Sequence, residues 1–284
     1  MIRALASAAL LLTLAPGLGG CSLKLLAVQS TAEILNESIA ALNAEPDPDH
    51  AREAGASLLV MLEGLIRADP ENPGLRRAAA QAYGGYAFAF FEEGAPERAR
   101  RFYRRGRDHG LRALAGGTGE NLSRLLEKIK ALGEADLPLL FWTAYCWGGW
   151  INLSRNDPEA LADLSLAEAM MARALALDPD YAHGGPELFF GVLLGGRSKL
   201  LGGDPARAKA HFERAVAASK GRFLMAKVLY ARHYAVQVQD EKLFRRLLAE
   251  VEAAPPGLLP DQALANALAR RRAAKLRKSA DEYF

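Results

Sequence analysis

The stretch Asp204-Pro205-Ala206-Arg207-Ala208-Lys209-Ala210-His211-Phe212-Glu213-Arg214-Ala215 decides the fold. Proline is tolerated in a first helical turn, where its missing N–H would have had no intrahelical partner. Asp204 stands where an N-cap belongs. Ala208, Phe212 and Ala215 then fall at i, i+4 and i+7, a small–large–small face that lets another helix approach closely. The same face recurs as Ala99, Tyr103 and Gly106 behind Pro96, and as Ala167, Met171 and Ala174 behind Asp157-Pro158. Leu58, Leu62 and Leu65 keep the spacing with bulkier side chains.

The recurrence has a period. Asp69-Pro70 and Asp178-Pro179 are 109 residues apart, an offset shared by Pro96 and Pro205, by Arg98-Ala99 and Arg207-Ala208, and by Tyr103 and Phe212. Three units of about 36 residues fill that interval, close to the ~34 of a tetratricopeptide repeat. Each such unit is a helical hairpin that buries its apolar face only by stacking on its neighbours. Abundant Ala and Leu and few β-branched residues agree. The fold class is therefore all-α, with tetratricopeptide-like hairpin repeats. Hairpins are predicted over 24–43 and 51–67, 75–93 and 96–114, 137–154 and 158–177, 186–200 and 205–218, and 222–238 and 241–253. An extra helix at 120–131 follows the break Gly116-Gly117-Thr118-Gly119. A final helix at 261–280 carries Arg270, Arg271, Arg272, Lys275, Arg277 and Lys278, which read as the polar face of a terminal cap or as a dock for anionic lipid or an acidic partner.

The first twenty residues read as an address. A basic start, Met1-Ile2-Arg3, precedes an apolar run from Ala4 to Leu14, too short to span a bilayer but suited to a signal-peptide core. Leu18-Gly19-Gly20-Cys21 resembles the lipobox of bacterial lipoproteins; ordinary signal cleavage beside an incidental cysteine is the alternative. Residues 1–20 are thus expected to be a signal peptide and 21–284 a single repeat domain, lipid-anchored at Cys21. Ser22 after the cysteine favours the outer membrane. Cys146, the other cysteine, has no intramolecular disulfide partner and sits among aromatics, as a buried small hydrophobe would.

Thirty-six Lys and Arg against 33 Asp and Glu give the 284-residue chain a charge of +3, with 50% hydrophobic and 24% charged residues. That is a globular composition, and its near-neutral balance argues against a nucleic-acid partner. The six arginines from Arg98 to Arg107 form a basic helix that reads as a solvated face. The histidines show no metal-ligand spacing, and no phosphate loop or nucleophile elbow is present. No catalytic residue, metal site or cofactor is predicted.

Three first helices carry glycine pairs where glycine costs ~1 kcal/mol each relative to alanine: Tyr83-Gly84-Gly85-Tyr86, Trp147-Gly148-Gly149-Trp150 and Leu194-Gly195-Gly196-Arg197. One glycine per pair is explained by close helix packing. Its neighbour points about 100° away, and either packs as well or leaves room along an inner wall. Trp142, Cys146 and Trp150 form one stripe of a helix in which Tyr145 and Trp147 face elsewhere, and a helix apolar all round is buried or lines an apolar cavity. The candidate ligand- or pore-lining residues are therefore Tyr83, Gly84, Gly85, Tyr86, Trp142, Tyr145, Trp147, Gly148, Gly149, Trp150, Gly195 and Gly196, with an internal cavity expected near Trp147 and Trp150.

Tyr83-Gly84-Gly85-Tyr86-Ala87-Phe88, Phe141-Trp142-Thr143-Ala144-Tyr145-Cys146-Trp147-Gly148-Gly149-Trp150-Ile151-Asn152, Phe223 to Tyr230 and Asn266 to Arg272 together resemble the T component of tripartite ATP-independent periplasmic (TRAP) transporters. The resemblance implies a lipid-anchored, all-helical periplasmic body that associates with the transporter's solute-binding protein. It also implies homo-oligomers and a channel or cleft for a small, hydrophobic solute. The competing reading is an outer-membrane scaffold lipoprotein that holds a peptide or an assembly partner on its concave face.

Overall fold

A computed structural model of the protein describes residue 31 and residues 34–115, 122–197, 200 and 202–284. The segment expected to be a signal peptide, Cys21 and the 116–119 glycine break lie outside the described residues. Among the described residues there are helices and no strand. Residues 34–44 form α1, followed by α2 (Pro48–Ala68), α3 (Pro73–Phe90), α4 (Pro96–Ala115), α5 (Leu122–Ala131) and α6 (Leu137–Asn152). Then come α7 (Pro158–Ala162), α8 (Leu164–Leu177), α9 (Tyr181–Gly195), α10 (Pro205–Ala218), α11 (Leu224–Tyr230), α12 (Glu241–Ala253) and α13 (Ala263–Lys278). The fold is an all-α helical repeat.

Local chemistry starts these helices where the sequence signals them. The Asp47, Asn72, Asp157, Asp204 and Asp240 side chains each accept a backbone N–H of the first turn, at 2.9–3.1 Å. Each such cap contributes about 1 kcal/mol. Proline occupies the first turn of α2, α3, α6, α7 and α10. The small–large–small faces are core: Ala99, Tyr103, Ala167, Met171, Ala174, Ala208, Phe212 and Ala215 are all buried. Gly106 completes its face because a Cβ there would stand 2.5 Å from the Cys146 sulfur and 3.2 Å from the Ala80 carbonyl oxygen.

The observed helices depart from the predicted hairpins at three places. The helix expected over 158–177 breaks at Asp163, which accepts the Trp147 indole N–H at 3.0 Å instead of continuing one straight helix. The chain enters α9 through left-handed Ala182, His183 and Gly184, with φ of 50°, 61° and 81°, so the regular helix starts near Gly185 as the sequence placed it, but it ends at Gly195 rather than at 200. The fifth first helix runs from α11 into a π-helical turn, Ala231–Ala235.

The hairpins stack in chain order, with α3 on α4, both on α6, α6 on α8, and α9 on α10 and α11. The last helix does not end the stack as a free cap. It packs on α11 and α12 and returns to α2. Arg271 donates to both Asp49 carboxylate oxygens, at 3.2 and 3.0 Å, Arg272 donates to the Phe88 carbonyl oxygen and pairs with Glu93 at 3.0 Å, and Lys275 reaches Glu93 at 3.3 Å. Three of the cations predicted to form a polar outer face thus clasp the C-terminal helix to the first two hairpins, and the superhelix curls back on itself.

Candidate binding cavity

The curled stack surrounds a partly open cavity of about 460 Å³. Every first helix contributes to its wall: Leu42 from α1, Phe88 from α3, Trp142 and Tyr145 from α6, Phe189 from α9, and Met225 and Leu229 from α11. Leu58 and Leu59 of α2 and Leu264 and Leu268 of α13 close the remaining sides. α6 can serve both core and wall because it is apolar around its whole circumference. Its Ala144, Cys146, Trp147 and Trp150 are buried in the core. Trp142 and Tyr145, 5.3 Å apart and nearly perpendicular, face the cavity with Phe141, an edge-to-face arrangement that fixes the rings.

A few polar groups interrupt this wall. The Tyr103 hydroxyl donates to Glu92 at 2.5 Å, and both residues line the cavity. Burial raises the Tyr103 and Tyr145 phenols well above their ordinary range, and burial also raises the Glu92 carboxyl. Asn152, Arg155, Arg197 and His233 form a second polar group on the lining. Arg155 donates to the Asn152 and Gly196 carbonyl oxygens at 3.2 and 3.3 Å. Burial, with the Arg232, Arg155 and Arg272 charges adding to it, pushes the His233 imidazole down to about 3. Beside the wall, the left-handed Ala182 and His183 hold a strained bend that costs about 1–3 kcal/mol per residue. The His183 ring stacks on Phe223 at 5.3 Å and lies 3.6 Å from Asp261.

Of the twelve residues singled out in the sequence, Gly85, Tyr86, Trp142, Tyr145, Gly148 and Gly149 line the cavity. The other six face elsewhere, and the cavity lies at Phe141, Trp142 and Tyr145 rather than at Trp147 and Trp150. The Tyr83 hydroxyl donates to Glu63 at 2.7 Å on the outer side of α3. Trp147 is fixed by Asp163, and Trp150 is buried beneath the Arg107 guanidinium, 4.6 Å from its ring. The glycine pairs are not equivalent. A Cβ on Gly84 would stand 2.7 Å from the Cys146 sulfur, whereas one on Gly85 would meet nothing within 4 Å. Gly148 and Gly149 instead admit neighbouring rings, Phe189 and Tyr103, which themselves line the cavity. Gly195 admits the His233 carbonyl, 2.9 Å from where its Cβ would lie, and Gly196 is the C-cap of α9 rather than a mid-helix residue.

Sequence reasoning missed the wall supplied by Phe189, Met225 and the α13 residues Leu264, Ala265 and Leu268. Phe189-Phe190 beside Gly191 carried a signal, because it repeats the aromatic-beside-glycine pattern of the earlier helices. The α13 residues carried none, since their place depends on the superhelix curling through a full circuit.

These features define a class: an all-α helical-repeat protein curled around a largely apolar cavity. The chain belongs to the TRAP transporter T-component family, whose model matches residues 44–284, from the end of α1 through every later hairpin. It is accordingly an accessory subunit of a TRAP transporter. No curated protein matches the chain. Among the described residues no helix is long and apolar enough to cross a membrane.

Proposed function

We propose that the protein is a periplasmic accessory subunit, lipid-anchored at Cys21 to the outer membrane, that docks the transporter's solute-binding protein and holds a small apolar solute in its central cavity. The observation that carries this reading is the wall itself. First helices from all five hairpins, with α13, converge on one largely apolar, partly open cavity, and its 460 Å³ falls within the ~300–1,000 Å³ of small-molecule sites. A scaffold that holds a peptide calls for a filled core and an open polar groove, which fits this wall less well. Two or more acyl chains anchor stably where one holds weakly. Anchoring then raises the effective concentration of a docked receptor beside its membrane partner, and homo-oligomers would multiply such sites.

Native mass spectrometry of the purified mature chain tests the solute half of this reading. The expected spectrum carries a bound small molecule, one per chain, that is lost in Gly85→Leu; a spectrum of bare protein from cells grown with the solute present contradicts it. The docking half is tested by co-purification with the transporter's solute-binding protein, where absence of the complex at micromolar concentrations is the contrary result.

A further inference from the structure

Positive charge is concentrated on two helices. α13 holds six cations and no carboxylate, but Arg271, Arg272, Lys275 and Arg277 pair with Asp49, Glu93 and Glu252 of other elements, whereas among the described residues the arginines of α4 stay largely unpaired. α4 holds seven Arg and no Lys against Glu97 and Asp108, a formal charge of +5, whereas the whole chain carries +3. The rest of the chain is therefore net negative. Arg98, Arg101 and Arg104 are exposed at i, i+3 and i+6, and among the described residues none has a carboxylate within 4.0 Å. A helix face that merely faces water balances its charges with partners three or four residues away; on α4 the pair Arg100–Glu97 alone does so.

Arg98 and Arg104 are also held in place, as is the neighbouring Arg105. The Arg98 guanidinium lies 4.2 Å from the centre of the Phe91 ring, and that of Arg104 lies 5.7 Å from Trp150. Arg105 sits 4.6 Å from the Tyr83 ring and bridges to Glu63 of α2 at 2.7 Å. One turn before Glu63, Val60 is 75% and Met61 47% exposed. Exposed aliphatic and Met side chains bordered by ordered arginines match the composition of protein interfaces, which are enriched in Met and Arg and depleted in Lys.

We propose that the outer faces of α2 and α4 form a docking surface for an acidic patch on a protein partner. The inference rests on the reading of the protein as an accessory that docks a solute-binding protein, and it assigns the surface and its chemistry. Guanidinium groups present paired donors that match carboxylates bidentately, and holding them on rings lowers the entropy lost on binding. A rigid spacing suits carboxylates fixed on a folded surface. Fluid lipid headgroups need no such spacing and are served equally by lysine, so an acidic protein is the occupant.

The test compares the full-length mature chain with its Arg98→Glu/Arg101→Glu/Arg104→Glu variant, using the transporter's purified solute-binding protein as probe. Retained thermal stability and retained uptake of an apolar fluorophore establish that the variant is folded. Affinity is expected to fall by roughly tenfold or more, and the wild-type affinity to weaken with added salt while that of the variant stays flat. Equal binding by both proteins overturns this surface and leaves the docking reading standing. Failure of the wild-type chain to bind overturns both. Binding of the wild-type chain, but not the variant, to phosphatidylglycerol vesicles with no charge-dependent binding to the receptor overturns the protein occupant in favour of a membrane.

Discussion

Gly84 and Gly85 are adjacent in sequence and opposite in consequence. A leucine at 84 must displace the Cys146 sulfur and the Tyr145 ring, both within 3.1 Å of its Cβ. Overpacking of that kind costs about 1–3 kcal/mol, so Gly84→Leu is expected to lower the melting temperature by several degrees. A leucine at 85 meets open space and gains up to ~1 kcal/mol of helix propensity. Gly85→Leu is therefore expected to keep or raise the melting temperature while filling the cavity. His233 gives a second prediction at this scale. Its imidazole is held neutral down to about 3, whereas in the unfolded chain it titrates near ~6.5. Between those values the unfolded chain binds a proton that the folded chain does not, so stability falls as pH drops through that window. His233→Gln should flatten the acid limb of a urea-denaturation series taken from pH 7 to 4; an unchanged slope would contradict the assignment. The sequence made the glycine pairs conspicuous, but not their division of labour. Which member packs and which faces the cavity depends on helix rotation, and Phe189 and Tyr103 over Gly148 and Gly149 are long-range partners that no local spacing encodes.

Elements were more legible than residues. Prolines in the first turns with aspartates before them fixed where α7 and α10 begin, because caps and proline act within one turn. The break at Asp163 was invisible for the opposite reason: it answers the Trp147 indole, sixteen residues away, and the Arg107 guanidinium at 3.7 Å. The turn at His183 was legible from Gly184-Gly185-Pro186 behind it, but its left-handed backbone was not, since contacts with Phe223, Asp261 and the α10 backbone beside Gly184 accompany it. The clasp of α13 belongs to this scale as well. Arg272 is nearly buried, with its guanidinium shared among the Phe88 carbonyl, the Phe88 ring at 4.2 Å and Glu93. Arg272→Ala leaves that carbonyl without its charged donor and is expected to cost about 1.5–3 kcal/mol. Hydrogen exchange should then quicken in α13 before it does in α6; uniform exchange in both helices would show that the clasp does not secure the last helix.

At the scale of the molecule, the repeat period in the sequence foretold a stack but not its closure. Each hairpin turns a little relative to the last, and the accumulated turn brings α13 back to α2 and gathers the inner wall around a partly open cavity. The cavity is thus a property of the whole chain. Its aromatic wall comes from α3, α6 and α9, and its remaining side from a C-terminal helix whose sequence reads as charged. The same geometry separates the tasks proposed for the protein, with solute inside and partner outside on α2 and α4. Titration of an environment-sensitive apolar fluorophore into the wild-type chain and into Gly85→Leu tests the central claim most directly. The wild-type protein is predicted to take up one molecule per chain in a blue-shifted, saturable site, and the folded Gly85→Leu protein none. Equal uptake by both, or none by the wild-type, would mean that the space inside the stack is not where an apolar ligand binds.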